Sequence, residues 1–174
     1  MSLSFPRKVY KNFIHSFPTL LLFFLALTGY DLSFYLLNFN FSFNFIYIAI
    51  FFWILKKPER IGYGLVFFAV IINDVVQNFP IGVSSINFLL LCSIALFIRS
   101  RTLVPNLLYD WVFFLIAILI ISSVHYSVLT TVFDMPIRYG TLMSSSLITF
   151  LVYPLFSKIF NQIYIIDLRQ ENAK

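Results

Sequence analysis

The chain has 174 residues, of which 60% are hydrophobic, 20% aromatic and only 11% charged, with a formal net charge of +5. A soluble domain carries roughly a quarter charged residues and needs polar positions to coat its outside, so this composition excludes an ordinary water-soluble fold. The basic residues stand in short clusters beside apolar runs rather than along one face, which argues for membrane orientation and against nucleic-acid binding.

A helix needs about 20 apolar residues to cross the hydrocarbon layer. On that measure the chain divides into six predicted membrane helices, at residues 17–37, 40–55, 61–79, 83–98, 109–128 and 138–160. The expected fold is therefore all-α, a single polytopic membrane bundle spanning residues 1–174. The second and fourth segments are short and need local bilayer thinning, or extension through flanking residues such as Phe39 and Ser84.

The first segment follows Arg7, Lys8 and Lys11 and continues through Tyr35, too far for a secretory signal, with no small-x-small cleavage site after it. It is expected to be an uncleaved helix with Asp31 in its outer half. The triplet Asn40-Phe41-Ser42 matches a glycosylation acceptor but lies too close to the bilayer to serve as one. Between the second and third segments come Lys56, Lys57 and Arg60, and then Gly62-Tyr63-Gly64, which eases the start of the third helix.

The third segment ends in "INDVVQNFPIGVSS". Asn73, Asp74, Gln77 and Asn78 are separated by steps of three and four, so a helix would present all four on one face. A carboxylate near the bilayer centre costs about 2.5 to 3.5 kcal/mol on insertion scales, so that face should look into the bundle, a cavity or the outer interface. Two readings stay open: the stripe joins helices by hydrogen bonds, or it forms part of a binding site. Pro80 and Gly82 then break the chain, the first fixing φ and the second permitting backbone that other residues avoid.

In the fourth segment the single cysteine, Cys92, reads as a small packing residue. Arg99 and Arg101 follow it. Asp110 opens the fifth segment beside Trp111, where a negative charge suits the helix dipole and suggests capping. His125, near the far end of that segment, reads as a hydrogen-bonded packing group, because nothing supplies further zinc ligands. In the sixth segment Thr141, Ser145 and Thr149 recur every four residues, and Gly140 with Ser144 forms a small-xxx-small pair, both patterns of close helix packing. The tail beyond Phe160 reads as a short amphipathic or frayed end at the membrane surface. Trp53, Trp111 and several tyrosines fall near segment ends, at headgroup level.

Of the 12 lysines and arginines, 11 lie at the N-terminus, in the second and fourth loops, or in the tail, and only Arg138 lies on the other side. Basic residues are retained in the cytoplasm, so both ends are expected there. No HExxH, GxSxG or phosphate-cradling glycine loop is present, and the expectation is a protein without catalytic residues, cofactor or metal.

The stretch "KKPERIGYGLVFFAVIINDVVQNFPIGVSSINFLLL", residues 56–91, resembles the central region of the rod shape-determining protein MreD family. The shared features are a basic-Pro-Glu loop at Lys57-Pro58-Glu59, the pair Asn73-Asp74, and a Pro-x-Gly turn at Pro80-Ile81-Gly82, with Asn73 standing where glutamine is usual. The resemblance implies a non-enzymatic subunit of the bacterial cell-elongation complex in the cytoplasmic membrane. Its partners would be an MreC-like bitopic protein and, through it, MreB-like actin filaments and the peptidoglycan synthases of the lateral wall. It also implies a fold like that of the substrate-binding subunits of vitamin transporters. The region carrying the role would be Asn73, Asp74, Gln77, Asn78, Pro80 and Gly82, shaping an outer groove or turn. The alternative is a transporter subunit that binds a small polar molecule through Asp74, Gln77 and Asn78.

Overall fold

The computed structural model describes residues 5–28, 31–36, 39–78, 80–101, 106–135 and 138–172. Six α-helices carry the fold: α1 (Phe5–Thr28), α2 (Phe45–Lys56), α3 (Tyr63–Gln77), α4 (Val83–Arg101), α5 (Leu107–Thr131) and α6 (Tyr139–Asn172). Strands β1 (Asp31–Leu36) and β2 (Phe39–Asn44) form an antiparallel hairpin between α1 and α2. A 3-10 turn, Pro58–Arg60, joins α2 to α3. Helices α4, α5 and α6 are long and apolar enough to cross a membrane.

The hairpin corrects the expected first and second helices. The first ends at Thr28 rather than residue 37, and Asp31, expected on a helix, begins a strand whose backbone pairs opposite Asn44. The reason is local: residues 31–34 and 38–44 alternate Asp, Ser and Asn with Leu and Phe, a period of two that suits strands and that a hydropathy count ignores. The α6 helix also runs past residue 160 to Asn172, so the tail is helical rather than frayed.

Helix α2 sits at the centre. Every residue from Ile46 to Leu55 is buried, as expected of a helix that is apolar on all sides. Around it α1, α3, α4, α5 and α6 pack in a closed ring, each against the next and α6 back against α1. The core is aromatic. Phe51 lies 5.1 Å from Phe114 of α5 and 5.9 Å from Tyr153 of α6, while Phe52 lies 5.6 Å from Phe160. The outer faces carry exposed Phe24, Phe68, Leu89, Ile116, Leu151 and Leu155, an apolar exterior that lipid can solvate.

Two polar contacts show how the apolar interior satisfies its backbone. Pro154 lies inside α6 and has no N–H to donate to the carbonyl of Phe150, four residues earlier. The indole Nε1 of Trp111 donates to that oxygen instead, at 2.9 Å, with its ring stacked on Phe150 at 4.8 Å. Trp111, half-buried, is thus tied to α6 by its own hydrogen bond, and Trp53 is fully buried. At the end of α2, Arg99 donates to the carbonyls of Leu55 and Lys56, which have no partner within the helix.

Candidate functional site: two polar clusters at opposite ends of the bundle

The first cluster surrounds the turn between α3 and α4. Helix α3 ends because Asn78 adopts the left-handed conformation (φ 57°, ψ 31°), its N–H returning to the carbonyls of Asp74 and Val75. The chain re-enters helix at Val83, whose N–H donates to the carbonyl of Pro80. Gly82 has φ +100°, and no atom stands within 4 Å of where a Cβ would be, so backbone conformation and not crowding favours glycine there. The carboxylate of Asp74 closes the turn: its Oδ2 accepts the Gly82 N–H at 2.8 Å.

Four of the six residues singled out in the sequence meet in this way, but the four-residue stripe does not form as expected. Asn73 and Asp74 are fully buried, Gln77 is half-buried, and Asn78 is exposed. As the C-cap, Asn78 has left the helix and cannot share its face. Pro80 is half-buried and supports the turn through its carbonyl.

The cluster extends into neighbouring helices. Asn87 of α4, which the sequence reading passed over, is buried and hydrogen-bonds through Nδ2 to Nδ1 of His125 on α5. The Asp74 carboxylate acts electrostatically on the same imidazole. His125 is therefore a hydrogen-bonded group of the interior, as its setting in the sequence suggested. An asparagine embedded in "SSINFLLL" was the available signal for Asn87. Both side-chain polar atoms of Asn73, Oδ1 of Asp74, Oγ of Ser85 and Oδ1 of Asn87 are buried without a hydrogen-bond partner among the described residues. Such atoms usually find partners, so a region rich in unpaired ones is primed to receive a polar group.

Between this cluster and α6 runs a hydroxyl contact, Ser122 to Ser146 at 2.6 Å. Thr149 accepts the backbone N–H of Asn44 at 3.0 Å and donates to the carbonyl of Ser145. The Ser145–Thr149 part of the four-residue pattern is buried as expected, whereas Gly140, Thr141 and Ser144 are exposed.

The second cluster closes the opposite end. Asp110 of α5 accepts from Lys56 at 2.9 Å, and Asp167 of α6 accepts from Lys57 at 3.0 Å and from Arg60 at 2.9 Å. Both aspartates are buried. Arg60 also meets His15 of α1, and its carbonyl accepts from Thr19. The expected capping role of Asp110 belongs instead to Asn106, whose side chain accepts the Leu108 N–H at 3.1 Å. Asp110 is one turn further in, where it can reach Lys56. Asp167 was unmarked in the sequence because its partners lie more than a hundred residues earlier.

No family model, curated protein or solved structure matches this chain. Among the described residues no group of three or more His, Cys, Asp or Glu side chains converges as a metal site would require.

Proposed function

We propose that this chain is a multi-pass membrane adaptor of the MreD kind, which presents the α3–α4 turn at the outer face of the cytoplasmic membrane to an MreC-like partner and thereby to wall synthesis. The observation that carries the reading is the Asp74–Gly82 hydrogen bond, which ties together the acid and the Pro-x-Gly turn that the sequence resemblance rests on. A turn held by a buried carboxylate, a left-handed asparagine and a proline is a stiff surface feature, and a stiff feature costs little entropy when a partner docks.

On this reading all six helices cross the bilayer, with Lys56, Lys57, Arg60 and Arg99 at the cytoplasmic end. Helix α2, at 12 residues, covers only about 18 Å, short of a hydrocarbon layer of about 30 Å. Strand β2, which leads directly into α2, packs against α6 and is about 20 Å long for its six residues. Enclosure by the ring of helices lets the central segment be short without thinning the membrane.

The test is capture of the full-length chain from native bacterial membranes, with mass spectrometry of what accompanies it. An MreC-like protein should copurify with the wild type and be lost from Asp74→Ala and Pro80→Ala, with cells losing rod shape. Retention of the complex and of normal cell width in both variants would remove the adaptor role. The unpaired atoms of Asn73, Asp74 and Asn87 favour a second reading, a subunit that binds a small polar molecule. Its mark would be a ligand that copurifies and raises thermal stability in proportion to the logarithm of its concentration.

A further inference from the structure

At the end of the bundle opposite the α3–α4 turn, a cleft of about 350 Å³ opens between α2, α5 and α6. That is near the lower end of the range for small-molecule sites, roughly 300 to 1,000 Å³, and suits a headgroup-sized ligand. Its polar lining comes from Lys56, Asp110, Ser157, Lys158, Asn161 and Tyr164, with Phe52 and Leu107 supplying apolar wall.

The charges in the cleft do not cancel. Lys56 and Asp110 pair with each other at 2.9 Å, which leaves Lys158, exposed and without an ion pair among the described residues, as a surplus positive charge. Leu107 places the first turn of α5 on the cleft wall, and the positive end of that helix points the same way. Deep in the cleft, Ser157 is 1% exposed and its hydroxyl has no hydrogen-bond partner among the described residues. The buried Tyr153 hydroxyl is its neighbour, and the two together keep capacity for a further polar partner.

From this geometry we infer that the α2–α5–α6 cleft binds a singly charged phosphate ester, with Lys158 as its counter-ion and Ser157, Asn161 and Tyr164 as hydrogen-bond donors. A net charge of one matches a phosphodiester, and basic pockets between membrane helices on the cytoplasmic side commonly take anionic lipid headgroups. The apolar wall formed by Phe52 suits the start of an acyl or glycerol chain better than bulk solvent. This inference is independent of the adaptor role, since it uses none of the residues of the α3–α4 turn.

Native mass spectrometry of the full-length chain, stripped of lipid in a neutral detergent, tests it with three probes: phosphatidylglycerol, phosphatidylcholine and inorganic phosphate. The wild type should bind phosphatidylglycerol at least tenfold more tightly than phosphatidylcholine. Lys158→Glu should abolish that preference and Ser157→Ala should weaken it, while Arg101→Ala, at the end of α4 and outside the cleft, should leave it intact. Lys158 is exposed and its replacement should leave the unfolding profile unchanged, which separates lost binding from lost folding. If instead millimolar phosphate stabilises the wild type but not Lys158→Glu, and phosphatidylglycerol shows no preference, the site stands and its ligand is a free phosphate compound. Equal binding of every probe by the wild type and Lys158→Glu, or an equal loss in Arg101→Ala, would overturn the inference.

Discussion

The two ends of the bundle treat buried carboxylates in opposite ways. At the basic end each buried carboxylate has a cation within 3.0 Å, Asp110 with Lys56 and Asp167 with both Lys57 and Arg60. At the α3–α4 end the Asp74 carboxylate accepts a backbone N–H, and nearby amide and hydroxyl atoms have no hydrogen-bond partner among the described residues. Carboxylates paired with cations from another helix fix where those helices sit. An incompletely paired cluster holds interaction capacity in reserve, at a cost in stability, and that is where a partner or ligand gains most.

The contrast predicts a graded series of effects. The largest belongs to Asp167→Asn, which removes the buried carboxylate charge that both Lys57 and Arg60 bond. Removing one member of a buried ion pair costs about 3 to 5 kcal/mol, and unfolding of the purified chain in detergent should show a loss of that order. A loss below about 1 kcal/mol would mean that water already screens this end.

A middle effect is expected at Asp74. Asp74→Ala strands the Gly82 N–H and should cost about 1 to 3 kcal/mol, whereas Asp74→Asn keeps an acceptor oxygen and should cost less than about 1 kcal/mol. Equal losses in the two variants would show that charge, not the hydrogen bond to the turn, is what matters.

The smallest effect, and the most informative in sign, belongs to Asn73→Leu. Replacing a buried amide that lacks partners by an apolar side chain of similar size should leave stability unchanged or raise it by about 1 kcal/mol. If partner capture falls in the same variant, the reserve is functional. A clear destabilisation would instead reveal that Asn73 already has its partners.

Much of the architecture could be read from the residues. The long apolar runs of α4, α5 and α6 appear near their expected places, at Val83–Arg101, Leu107–Thr131 and Tyr139–Asn172. The turn at Pro80 and Gly82 was legible because proline and glycine act locally, through φ. The hairpin was missed because length and hydropathy register an apolar strand and an apolar helix alike, and only the alternation in residues 31–34 and 38–44 separates them. Asn87 and Asp167 were missed for another reason: a single polar residue acquires meaning from what stands across from it, here His125 and the Lys57–Arg60 pair.

By itself, then, the amino-acid order determined solvent and punctuation: which segments prefer lipid, where helices stop, and which polar side chains must be hidden from hydrocarbon. Tertiary packing alone decided that α2 is the enclosed centre, that Trp111 completes the backbone opened by Pro154, and which aspartates are paired. The physical reason is range. Hydropathy and backbone preference act over a few neighbouring residues, whereas a hydrogen bond or ion pair between helices joins positions dozens of residues apart, and nothing in either segment alone specifies its partner.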